Sequence, residues 1–389
     1  IYNDQEQYAQ AVEPLRLAVR YKPDYASAHL ELGYALRYLQ RYDEALAEDR
    51  QAVALNPNSP TAYYEIGWIY NEKGQYDAAV TALRQALRLK SDYPEAHVEL
   101  GYAFRKLGRS SDAIAAYQAA VQLKPDYAQA YFGLGDVYYS DTKQYKEAAA
   151  TYREGLRYNS ENVAALYNLG WSYNELGQYE GAIEALNRAV SLKSDYAEAY
   201  GELGYANRKL GEKQPEGSAA AQQRFAAAAA AYRQAIRLKP NSALAYQGLG
   251  DLYYHDTKQY PEAVEAYKQS LRLKPENAQV LYNIGWIYNE LQQYEAAIPA
   301  LQQAVRVKPE YAEAHNELGY ALHHAGQYNL AVEAYRQAIR LKQNYSSAHY
   351  NLALSYLALG NQRGVVEEYR ILQQLNPEQA RKLYSQINK

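Results

Sequence analysis

The 389-residue chain contains no cysteine, which excludes disulfides, thiolate nucleophiles and thiolate metal sites together and leaves the redox compartment unread. Methionine is absent as well, so the sequence reads as part of a longer open reading frame with residues preceding Ile1. Neither sign of charge dominates: 41 Lys and Arg stand against 44 Asp and Glu, a formal charge of −3, and no basic block occurs. Nucleic-acid binding, which needs clustered cations to displace counterions, is not expected. No run approaches the roughly 18 consecutive apolar residues of a spanning helix, so membrane insertion is not expected and a soluble chain is. Phenylalanine and tryptophan are scarce, 3 of each, against 45 tyrosines. Tyrosine carries apolar area with a polar tip and suits half-exposed surfaces.

What the chain does have is a period. Gly33, Gly67, Gly101, Gly135, Gly170, Gly204, Gly250, Gly285 and Gly319 follow one another at gaps of 34, 34, 34, 35, 34, 46, 35 and 34. Self-similarity of this length signals a solenoid, in which a unit cannot bury its apolar face alone and is stabilised by stacking. In residues 60–93, Tyr63, Ile66, Ile69 and Tyr70 recur at helical intervals, and Asn71 to Gln75 make a turn at Gly74. A second helical pattern of Ala79, Val80, Leu83, Ala86 and Leu87 follows. Each unit is therefore expected to be two short antiparallel helices.

Small residues fall in columns where the axes must approach. One column holds Ala45, Ala79, Ala113, Ala148, Ala182, Ala263, Ala297 and Ala331. Another holds Ala52, Ala86, Ala120, Gly155, Ala189, Ala235, Ser270, Ala304 and Ala338. Larger side chains there would overpack the contact. Pro57, Pro125, Pro240, Pro275, Pro309 and Pro377 end second helices, because proline cannot continue the hydrogen-bond ladder.

The pattern of a large residue, Leu-Gly, Tyr, Ala, a large residue, Ala and Pro over 34 positions resembles the tetratricopeptide repeat, across essentially the whole chain. The resemblance implies an all-α, right-handed superhelical solenoid of antiparallel helix pairs, whose concave face, built from first helices, binds peptides or proteins. Residues 1–25 read as a partial N-terminal repeat, 26–379 as ten tandem repeats and 380–389 as a C-terminal capping helix. The last repeat departs from pattern, with Ala353, Val365 and Leu372 in the small-residue columns. The extra residues, at about 212–223, place a loop at Pro215 and Gly217 and a lengthened second helix starting near the N-cap Ser218.

A longer period overlies the first. Trp68, Trp171 and Trp286 lie in GWIYNEKGQY, GWSYNELGQY and GWIYNELQQY, and GDVYYSDTKQY and GDLYYHDTKQY precede the second and third. Blocks of three repeats have been duplicated, so equivalent surfaces are expected to recur. On the concave face the resemblance places Tyr64, Trp68, Asn71 and Glu72, then Tyr167, Trp171, Asn174 and Glu175, then Tyr282, Trp286, Asn289 and Glu290. Intervening repeats supply Tyr102, Arg105 and Lys106, Tyr205, Arg208 and Lys209, Asp136 and Tyr139, and Asp251 and Tyr254. Rings, amides and alternating charge suit an extended polypeptide. The same tryptophans would also serve simply to pack adjacent first helices.

Asn168, Asn283 and Asn351 resemble an asparagine ladder that grips peptide backbones in some members of the family. Glu31, Glu65, Glu99, Glu202 and Glu317 stand in that place elsewhere, and the family's lysine-rich carboxylate clamp is not found. His29, His97, His315 and His349 share one repeated first-helix place and read as packing. His323 and His324 are adjacent and cannot ligate as an i,i+4 pair. No nucleophile motif or phosphate-cradling loop occurs, so neither catalysis nor a cofactor is expected. Asn344-Tyr345-Ser346 is a formal glycosylation sequon. Two readings follow: a non-enzymatic scaffold, bacterial in style, for a protein or extended peptide, or a subunit that stacks head to tail into a filament.

Overall fold

The computed structural model describes residues 5–387, and every regular element in it is helical. The outermost ends of the two terminal segments, residues 1–4 and 388–389, lie outside the described residues. The chain divides after Ser194 into two compact halves. In the N-terminal half, α1 (Gln5–Tyr21) is followed by the pairs α2 (Ala26–Tyr38) and α3 (Tyr42–Leu55), α4 (Pro60–Glu72) and α5 (Tyr76–Leu89), and α6 (Pro94–Lys106) and α7 (Ser110–Leu123). Next come α8 (Ala128–Asp136) with α9 (Tyr145–Tyr158), and α10 (Val163–Glu175) with α11 (Tyr179–Leu192).

The C-terminal half opens with the pairs α12 (Ala197–Glu212) and α13 (Ala219–Leu238), α14 (Ala243–Asp251) and α15 (Tyr260–Leu273), and α16 (Ala278–Glu290) and α17 (Tyr294–Val307). The pairs α18 (Ala312–His324) and α19 (Tyr328–Leu341), and α20 (Ser346–Ala358) and α21 (Gln362–Leu375) follow, and α22 (Pro377–Ile387) ends the half. Neighbouring helices in the chain are the main packing partners within each half, which makes each a helical repeat solenoid.

Local chemistry explains where the helices begin and end. Ser59, Asn162, Ser218, Ser242 and Asn277 each accept a hydrogen bond from the backbone three residues on, as with Ser59 Oγ and Ala62 N at 3.2 Å. Pro60 and Pro94 occupy the first turn, where no intrahelical N–H is needed. First helices close through a left-handed residue, Gly74 (φ 69°) being typical, whose missing Cβ removes the steric cost. Lys143 and Lys258 adopt the same conformation at φ 55° without that advantage.

Packing within a pair rests on the small columns. Ala45, Ala79, Ala113, Ala148, Ala182, Ala263, Ala297 and Ala331 are all at 0% exposure. Four residues after each of these alanines, one second-helix side chain lies against the first-helix glycine. It is Leu83 on Gly67, Tyr117 on Gly101, Tyr152 on Gly135, Leu186 on Gly170, Tyr267 on Gly250, Leu301 on Gly285 and Tyr335 on Gly319. A Cβ on Gly135 would sit 2.8 Å from the Tyr152 ring, closer than carbon atoms pack. In the first pair the residue in this place is Asp49, against Gly33.

The 35-residue gaps have a structural reason. After Gly135 and Gly250 the first helix widens into a π turn, Val137–Asp141 and Leu252–Asp256, which absorbs one extra residue without breaking the pair. The larger insertion lengthens both helices of its pair: α12 has 16 residues and α13 has 20, against 13 and 14 in the pair α4 and α5. Among the described residues, no helix is long and apolar enough to cross a membrane.

Candidate functional site

First helices touch their successors at α2–α4, α4–α6 and α6–α8 in one half and at α12–α14, α16–α18 and α18–α20 in the other, and second helices approach theirs less closely. Each half therefore presents an inner face made of first helices. In most pairs the residue one place after the glycine is an aromatic ring, and a tyrosine of the preceding pair meets it. The first-turn tyrosine of a second helix meets the ring 26 positions on. Tyr42 meets Trp68 at 6.1 Å between centroids, Tyr76 meets Tyr102 at 6.3 Å, Tyr145 meets Trp171 at 5.2 Å, Tyr260 meets Trp286 at 6.1 Å and Tyr294 meets Tyr320 at 6.0 Å. Tyr139 and Tyr254, in the π turns, add edge contacts to Trp171 at 4.8 Å and Trp286 at 5.2 Å. These rings are half-buried except Tyr254, which is buried.

The polar residue four places after the glycine does different work, reaching to the next first helix. Asn71 Nδ2 donates to the Glu99 carbonyl at 3.0 Å and to its carboxylate at 2.8 Å, and Asn289 does the same to Glu317 at 3.1 and 3.0 Å. Both asparagines are 3% exposed, as is Asn174. Burial lifts the Glu99 and Glu317 carboxyls above the usual range, with the amide donors opposing it. Arg105 pairs with Asp136 and Asp141 at 3.1 Å each. Arg208 pairs with Asp256 at 2.5 Å and lies 4.0 Å from Asp251. Asp136 Oδ1 in turn accepts from the buried Tyr152 hydroxyl at 2.6 Å, and Asn168 donates to that hydroxyl at 3.1 Å. Asp251, Tyr267 and Asn283 repeat the arrangement at 2.7 and 3.1 Å.

The structure thus separates the sequence-derived residues into two groups. Trp68, Tyr102, Trp171 and Trp286 stand on first helices as half-buried rings, and Tyr205 is 36% exposed. Tyr64 and Tyr282 turn toward Tyr93 and Tyr311 at the next junction, at 5.0 and 5.1 Å, and Tyr167 is half-buried. Asn71, Asn168, Asn283, Asn289, Arg105 and Arg208 are bonded within the protein, locking one pair to the next. The bracing tyrosines were not singled out from the sequence, although the Gln-Tyr that opens many second helices is their signal.

Two further features were missed. Arg37 lies 2.9 Å from the Glu65 carboxylate, at an angle too bent for a hydrogen bond, and its guanidinium sits 4.4 Å from the Trp68 ring. Nearby, Asp49 is at 0% exposure, and neither carboxylate oxygen has a hydrogen-bond partner. Burial, with the Glu65 charge second, pushes Asp49 up to about 8. Burial pushes Glu65 up to about 7 despite Arg37.

The histidines of the repeated place bond to the preceding loop: His315 Nε2 lies 3.0 Å from the Pro309 carbonyl and His349 Nε2 lies 2.9 Å from that of Gln343. Among the described residues no cluster of three His, Asp or Glu is arranged to hold a metal.

Models described as TPR repeat match residues 33–70, 67–108, 101–141, 170–211, 220–256 and 254–288. Models described as tetratricopeptide repeat match 128–162, 151–184, 282–346 and 325–380. The chain belongs to the tetratricopeptide repeat family, whose members bind peptides or proteins. Among solved structures it is similar to the C-terminal part of a TPR repeat-containing protein from Cytophaga hutchinsonii, at 22% identity and TM-score 0.52 over 66% of this chain and 99% of that one. It is also similar to YrrB, described as a TPR protein with an unusual peptide-binding site, at 25% identity and TM-score 0.41 over 48% of this chain and 95% of that one. MamA matches at 25% identity and TM-score 0.41 over 47% and 93%.

Proposed function

We propose that the chain is a non-catalytic scaffold that holds an extended polypeptide along the inner face of its first helices. The observation that carries this reading is the row of half-open rings one place after the glycines, each braced by a tyrosine from the preceding pair. Rings held in one orientation lose little entropy on contact, which is what makes tyrosine and tryptophan effective in binding surfaces. The bonds from Asn71 to Glu99, from Asn289 to Glu317 and from Arg105 to Asp136 fix the spacing of neighbouring first helices, so the surface is formed before a ligand arrives.

The test is selection from a displayed random-peptide library with the whole chain, followed by replacement of Tyr102 and Tyr320 with serine. Losing a braced ring at each place is expected to weaken the selected peptides about tenfold, the cost of about 1.4 kcal/mol that a contact of this size carries. Equal affinity in the folded double variant, or no selected peptide at all, overturns the reading.

A further inference from the structure

The segments Gly67–Glu72, Gly170–Glu175 and Gly285–Glu290 share the sequence Gly-Trp-x-Tyr-Asn-Glu. The glutamate stands four places after the tryptophan, so indole and carboxylate lie on one helix face a turn apart. All three glutamates are exposed, and none pairs with a cation among the described residues. An aromatic face with an unneutralised carboxylate a turn away matches a guanidinium or ammonium group, which the ring attracts through its quadrupole and the carboxylate through its charge.

One copy already holds such a group. Over Trp68 the chain supplies Arg37, whose guanidinium lies 4.4 Å from the indole centroid and 4.9 and 4.8 Å from those of Tyr34 and Tyr38. In the other two copies the preceding pair carries a π turn, and Tyr139 and Tyr254 take the place that Arg37 occupies. No cation of the described residues lies over Trp171 or Trp286, and both rings are half-exposed.

The wider face agrees in sign. The places two before and one, four and five after each column glycine, with Ala353 in the last pair, together with Asp141 and Asp256 of the π turns, hold twelve carboxylates. The same places hold five arginines and lysines. Burial lifts Glu65, Glu99 and Glu317 among these twelve, yet the remaining nine still outnumber the five cations, against a formal charge of only −3 for the whole chain. A field of that kind draws in and orients a positively charged strand.

We infer that Trp171 with Glu175, and Trp286 with Glu290, are two equivalent subsites, one in each half, for arginine or lysine side chains of an extended basic peptide. This rests on the scaffold reading and narrows its ligand to one class. The duplication gives each half its own subsite.

The experiment titrates the whole chain, followed by calorimetry, with Gly/Ser peptides that carry two arginines, the same peptides with citrulline in their place, and the same with glutamate. The arginine peptides are expected to bind, and citrulline, which keeps the shape and removes the charge, to weaken them about tenfold. Replacing both Trp171 and Trp286 by alanine should produce a loss of about tenfold. Because those rings also pack on tyrosines, Glu175→Gln with Glu290→Gln provides a second test at exposed positions. It should weaken the arginine peptides about threefold and flatten their salt dependence. Equal binding of citrulline peptides, or arginine binding untouched by the Gln pair, overturns the inference. Binding of the glutamate peptides in preference overturns it while leaving the scaffold reading in place, and binding of none overturns both.

Discussion

Asp49 and Tyr152 occupy the same place in their pairs, four residues after a buried alanine and hard against a first-helix glycine, and they could hardly differ more. Tyr152 fills the gap with its ring and spends its hydroxyl on Asp136 and Asn168, so every polar atom it buries is bonded. Asp49 fills less of the gap and leaves both oxygens without a partner, beside Glu65. Position in the repeat therefore dictates burial, but whether burial stabilises depends on whether the next first helix offers a partner. Asp136 and Asn168 do so for Tyr152. At the first junction Glu65 offers like charge, and Arg37 is turned to Glu65 and Trp68.

The comparison breaks most sharply under truncation. Tyr152→Ala should destabilise the N-terminal half by about 3–5 kcal/mol, the range for emptying a large aromatic from a packed site. It also strips Asp136 and Asn168 of a shared partner. Repeat arrays need not unfold in one step, so the measurement is hydrogen exchange across α8 and α9 alongside a urea melt. Protection that stays at the parent level would mean the hydroxyl network and ring contribute nothing there.

At the equivalent place Asp49→Leu should act with the opposite sign. Leucine is what Gly67, Gly170 and Gly285 already face, and the change removes an unsatisfied buried carboxyl whose desolvation costs about 1–3 kcal/mol. The gain should depend on pH. Asp49 titrates at about 8 in the fold against 3.8 in the open chain, raised by burial first and by Glu65 second, with Glu48 adding and Arg37 opposing. The native state therefore keeps a proton that the unfolded chain releases. The parent's stability is full below about pH 4 and drains as pH rises toward about 8. Melts of both proteins should diverge across that window, and parallel curves would show that Asp49 is ionised and paired in solution.

Much of this was legible beforehand. The glycine and alanine columns specify which faces meet, because only small residues let the axes approach, and the three Gly-Trp segments mark equivalent surfaces. The partners were not legible. A column says that Asn71, Arg105 and Asn289 share a place, but not that this place looks across to the next first helix instead of out to a ligand, since that depends on the tilt between pairs. Asn168 and Asn283 resemble part of a backbone-gripping ladder that glutamates interrupt, and each donates to a tyrosine hydroxyl sixteen residues earlier, a bond that the spacing alone does not reveal. Asp49 stood in plain view in a column of leucine and tyrosine, a substitution that only the cross-reading of second helices would expose.

The smallest effect concerns the turns, where position and residue disagree more gently. Gly74, Gly108, Gly177, Gly326 and Gly360 close first helices at φ between 68° and 76°, while Gln40, Lys143, Lys258 and Gln292 do so at φ between 55° and 58°. An L-residue in this region crowds its Cβ against the carbonyl, at roughly 1–2 kcal/mol. Glycine relieves that, but it gives back part of the gain through the greater freedom of the unfolded chain. Lys143→Gly and Lys258→Gly should each therefore stabilise by about 0.5–1 kcal/mol, a shift of a degree or two in the melting temperature of a chain this long. The reverse change, Gly177→Lys, should cost a similar amount. Both turns follow a π turn whose bonds, from Thr142 N to Val137 O and from Thr257 N to Leu252 O, lie outside the substituted residue, so the subsites at Trp171 and Trp286 should keep their peptide affinity while the melt moves. A loss of affinity in Lys143→Gly would show that the turn conformation, and not the aromatic and acidic side chains alone, sets the shape of the inner face.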